Sequence, residues 1–71
     1  MLPLTMANQN ETHKIIALHG KEETRRFLAG MGFVEGSAIS IVSELDGNLI
    51  VNVKDARVAL SKSMASKIYI E

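Results

Sequence analysis

Two histidines and a scatter of carboxylates are the groups in this sequence whose types could do chemistry. His13 and His19 are six residues apart, a spacing that puts both on one face of an extended strand. Glu22 and Glu23 follow and Glu11 precedes, so a mixed imidazole/carboxylate set for a first-row divalent ion (Fe²⁺, Mn²⁺ or Zn²⁺) can be drawn. The set lacks a His-x-x-x-His or His-x-x-Glu spacing, and Gly20 separates its halves. Two solvent-facing histidines at strand ends are the simpler reading and outweigh a complete site. A weak or partner-completed site on His13, His19, Glu22 and Glu23 is what the spacing supports. Nothing in the sequence requires a cofactor.

Other chemistry has less behind it. There is no cysteine, and no serine stands in a Gly-x-Ser-x-Gly context. A chain of 71 residues lacks the depth for a water-excluding cleft of roughly 300 Å³, so no enzyme is expected. Gly30, Gly32 and Gly36 are spaced Gly-x-Gly-x-x-x-Gly and end a helix, where a dinucleotide loop would open one. Three aromatic residues without tryptophan make no groove for proline-rich peptides. The arginines are Arg25, Arg26 and Arg57; they could grip an acidic patch, or stabilise phosphate charge in a partner GTPase. Set against that is ordinary pairing of Arg25 and Arg26 with Glu22 or Glu23 along a helix face.

Composition narrows the partners. Eight basic and eight acidic groups cancel, four of each in residues 1–36 and four of each in 37–71. No basic face is suggested, which argues against nucleic acid and anionic membrane surfaces. No apolar run approaches the ~20 residues of a membrane span, and the apolar start carries no Lys or Arg as a secretory signal would. The cytosol is therefore the expected compartment.

The elements follow from periodicity. Residues 1–11 read as a lead, and Thr12–Leu18 as a first strand around Ile15 and Ile16. Lys21–Met31 reads as the one convincing helix, with Phe27, Leu28 and Met31 as its apolar stripe and Gly32 ending it. Ala38–Leu45 is a strand with Ile39, Ile41 and Leu45 on one face. Asp46-Gly47 signals a two-residue hairpin into Asn48–Lys54, with Leu49, Val51 and Val53 inward. Ala56–Leu60 follows with Val58 and Leu60 inward. Ser61–Lys67 reads as a single helical turn capped by Ser61, with Met64 and Ala65 buried, and Ile68 and Ile70 close the chain. Residues 1–71 are thus expected to form one domain. It is mainly β, a small SH3-like, partly closed barrel of about five strands with one short helix inserted after the first strand.

The run Arg26-Phe27-Leu28-Ala29-Gly30-Met31-Gly32-Phe33-Val34-Glu35-Gly36-Ser37 resembles the R-L-x-x-L/M-G-F/I-x-P-G segment of the FeoA family, ferrous iron transport protein A. Leu2-Pro3-Leu4 resembles that family's N-terminal P-L. Ile39–Val42 is similar to its first barrel strand. Ile50-Val51-Asn52-Val53 with Ala56-Arg57-Val58-Ala59-Leu60, and the closing Ala65, Ile68 and Ile70, extend the likeness over nearly the whole chain. Glu35 and Asp55 stand where the family often has proline and glycine, and position 27 is Phe where it has Leu.

The resemblance implies an SH3-like barrel in the cytosol that supports ferrous iron uptake by FeoB, a membrane transporter with a GTPase domain. On that reading the partner surface is Arg25–Gly36: Arg25 and Arg26 supply charge, Phe33 and Val34 an apolar contact, and Gly32 and Gly36 the backbone shape. The alternative is a module that binds a transition metal directly, like the C-terminal barrel of iron-dependent repressors. Self-association through an exposed barrel edge is compatible with either.

Overall fold

The computed structural model describes all 71 residues. Six strands form one antiparallel sheet: β1 (Leu2–Pro3), β2 (Thr12–Leu18), β3 (Ala38–Leu45), β4 (Asn48–Val53), β5 (Ala56–Ser61) and β6 (Ile68–Ile70). The spatial order is β1-β6-β2-β3-β4-β5, so the last strand sits between the first two and β1 and β5 are the edges. Helix α1 (Glu22–Gly30) joins β2 to β3, and α2 (Lys62–Ala65) joins β5 to β6. No helix is long and apolar enough to cross a membrane.

The lead is more than a tail. Leu2 and Pro3 pair with Ile70 and Tyr69, a 3₁₀ turn follows over Leu4–Met6, and Leu4 is completely buried. Gln9 then forms a parallel bridge to Ile41, and Asn10 N–H donates to the Ile41 carbonyl at 2.8 Å. These contacts tie the segment to β6 and to β3. A two-residue strand that includes a proline carries too short a pattern to be legible in the sequence.

β3 and β4 are joined by Asp46 (φ 52°) and Gly47 (φ 81°), both in the left-handed region as a type I′ turn requires. Leu49, Val51 and Val53 are buried as alternation predicts. Leu45 is not: it is exposed, because a bulge between Ile41 and Ser43 inserts a residue and reverses which face later side chains take. Ser61 caps α2, its hydroxyl accepting from Met64 N–H at 3.2 Å, and Ala65 is buried below.

All 13 buried residues are apolar and form one cluster. With no polar group inside, any chemistry has to take place at the surface.

Candidate functional site

Helix α1 is attached thinly. Leu28 is its only buried residue, with Met31 half-buried just beyond its end. Phe27 is not in the stripe expected of it; it is 57% exposed, because contact through Leu28 alone leaves position 27 at the margin of a narrow buried face.

The helix ends in a Schellman motif. Gly32 N–H donates to the Ala29 carbonyl at 3.0 Å and Phe33 N–H to the Leu28 carbonyl at 3.1 Å, with Gly32 at φ 101°. This geometry brings the side chain after the glycine back against the helix's last turn. Phe33 accordingly packs at 0% exposure in the same core cluster as Leu28. The expectation that Phe33 offers an apolar contact to a partner is therefore corrected: it belongs to the core, and the aromatic face turned outward here is Phe27. Gly36 (φ 91°) completes the loop, its N–H donating to the Ile15 carbonyl at 2.7 Å, while Ile15 N–H donates to Ser37 O at 2.9 Å. The loop is pinned to β2.

The two arginines differ. Arg25 turns back and donates to the Gly20 carbonyl at 2.5 Å, bracing the β2–α1 turn. Arg26 pairs with Glu22 one helical turn away, with both side chains over 70% exposed. Such a pair is worth only about 0.3–0.5 kcal/mol, so Arg26 is easily released to another carboxylate.

Open grooves flank α1. One, of about 400 Å³, is lined by Glu23, Thr24, Arg26, Phe27 and Met64. The other, of about 410 Å³, includes Leu18, Arg25, Arg26, Ala29, Val34 and Glu35. Arg26 stands on the ridge between them. Met64, expected in the core, is half-buried and lines the groove with Phe27, a position that no periodic signal in the sequence marks.

His13, His19, Glu22 and Glu23 are not brought together, and no three His, Cys, Asp or Glu side chains cluster as a metal would need. The even-spacing argument fails for two reasons. The β2 register shifts between Ile15 and Ala17, and His19 lies beyond the strand end. Six residues of strand also separate the rings by roughly 20 Å. His13 Nδ1 donates to the Glu71 main-chain oxygen at 3.0 Å, and Nε2 lies 3.3 Å from the Glu11 carboxylate. His19 stacks on Tyr69, centroids 4.1 Å apart. Glu22 is held by Arg26.

Comparison with known proteins places this geometry. The FeoA domain family matches residues 2–71. The chain belongs to the FeoA family. Iron(II) transport protein A from Clostridium thermocellum superposes with TM-score 0.89 at 27% identity, covering 99% of this chain but 44% of that one. FeoA from Stenotrophomonas maltophilia, solved with zinc and described as a procaryotic SH3 domain protein, gives TM-score 0.87 at 22% identity, over 100% of this chain and 91% of that one. ScaR with bound Zn²⁺ gives TM-score 0.87 at 20% identity, over 100% of this chain but 36% of that one, which shows a shared fold. No curated protein matches the sequence. The SH3-like, mainly β architecture expected of this FeoA-family chain is the one it has.

Proposed function

We propose that this chain is a cytosolic accessory and regulatory protein of ferrous iron uptake. It acts as one non-catalytic barrel domain by binding the cytosolic part of a FeoB-type membrane GTPase transporter. Family membership supports the iron-transport setting, and the Stenotrophomonas relative has been put forward as a ferrous iron transport activating factor. The observation that carries the docking surface is α1 itself, held by one buried leucine, presenting Arg26 and Phe27 outward between two grooves. An exposed aromatic beside a releasable arginine is the combination that protein interfaces concentrate at their centres. Arg25 and Val34 form the flank of this surface, and Gly32 and Gly36 set the loop that supports it.

Pull-down with the transporter's cytosolic domain tests this. Arg26→Glu and Phe27→Ala are each expected to weaken capture by about tenfold, the effect of losing one anchor of ~1.4 kcal/mol. Capture equal to wild type for both variants would remove α1 from the interface. The metal-responsive alternative has no assembled ligand set in this chain, and the likeness to ScaR is one of fold.

A further inference from the structure

On the outer face of the sheet, strand register lines up four polar side chains. Thr12 pairs with Ser40, Ser40 with Asn52, and Asn52 with Arg57, one rung across β2, β3, β4 and β5. A shallow groove of about 200 Å³ opens on this rung, lined by Thr12, Ala38, Ser40, Asn52 and Lys54 among others. Arg57 Nε donates to Asn52 Oδ1 at 3.1 Å. Because arginine can only donate, that bond fixes the amide and leaves Asn52 Nδ2 as a free donor. The Thr12 and Ser40 hydroxyls hold no partner within the chain. Lys54 has φ 54° at a turn position where glycine would be unstrained, and its stem lies across Gly32, 3.6 Å from where a Cβ would stand there. Lys14 is in register with Ala38 on the same face. No carboxylate lines the groove: Glu11 beside Thr12 is engaged with His13, and Asp55 lies beyond Lys54 in the turn.

We propose that this groove binds a phosphate-class oxyanion. Its one obligate acceptor, Asn52 Oδ1, is already satisfied by Arg57, so what remains is an ammonium, an amide N–H and two hydroxyls free to turn their protons inward. Such a lining would repel a cation and suits an anion. Its volume takes a phosphate group and leaves a nucleoside outside. The source is either free inorganic phosphate or the terminal phosphate of a larger ligand. The site is independent of the transporter reading.

The test is an amide chemical-shift titration of the full chain with sodium phosphate, against sodium chloride at equal ionic strength. Saturable shifts at Thr12, Ser40, Asn52 and Arg57 in phosphate alone are expected. Lys54→Met keeps the stem over Gly32 and is expected to weaken binding about fivefold, as an exposed charge contact should, with Lys54→Arg restoring it. Melting curves of both variants separate a lost site from a lost fold. Adenosine triphosphate moving the same amides more tightly than phosphate would assign the terminal phosphate of a ligand; phosphate acting as well alone would assign the free ion. Equal shifts in chloride, an unaltered affinity in Lys54→Met, or tighter binding of a polyglutamate peptide than of either phosphate probe would overturn the proposal.

Discussion

Phe33 shows how much one residue can carry in a protein this small. At ~0.05–0.15 kcal/mol per residue, a chain of 71 residues has roughly 4–10 kcal/mol of stability in all. Phe33→Ala, at about 3–5 kcal/mol, should remove a third or more of it, and chemical denaturation should show the unfolding midpoint shifted to much lower denaturant. Gly32→Ala is a milder case. The added Cβ would meet the Lys54 stem at ordinary contact distance, so its cost is the left-handed backbone, about 1–2 kcal/mol in the same assay. The pair also marks where residue-level reading succeeds. Gly32 as a helix stop follows from its type and place. The inward turn of Phe33 follows from the position after such a glycine packing back on the last helical turn, a signal present in the sequence. The histidine pair is different: no sequence feature announces the bulge that breaks its parity.

At the scale of elements, long alternating strands were legible and local irregularities were not. β2 and β3 have the bounds that their patterns predict, and α1 and β4 differ by a residue at their ends. Hydrophobic alternation repeats along a strand and so averages out ambiguity. A bulge is one inserted residue, and β1 has only two, so neither repeats enough to be seen. The Ser61 cap is a local signal that did read correctly, because the hydroxyl bonds within its own turn. Ser61→Ala should cost about 1 kcal/mol by thermal melting, with little effect on partner capture. Helix α1 is secured to the core by one buried residue of its own, Leu28. Its amides should exchange with solvent well before those of β3 and β4, and Leu28→Ala should widen that gap by releasing the helix while the sheet persists.

For the molecule as a whole, charge balance makes a kinetic statement. A net charge of zero supplies no long-range steering toward a partner, and on the proposed reading recognition falls to short-range contacts such as those around Arg26 and Phe27. Association rates with the transporter's cytosolic domain should change by less than about threefold between about 0.05 and 0.3 M salt. A steep salt dependence would show that charge, and not the apolar contact of Phe27, dominates the encounter.

The position of β6 between β1 and β2 also bears on how the protein comes into being. Ile70 pairs with Leu2 and with Ile15, so segments far apart in the sequence share one ladder. The β3–β4–β5 meander pairs strands that are neighbours in sequence, whereas Leu2 and Pro3 find their ladder partners only in Tyr69 and Ile70. Closing so large a loop is slow compared with pairing neighbours, so β1 and β6 are expected to join the sheet after the meander has formed, a lag that pulsed hydrogen exchange during refolding would record.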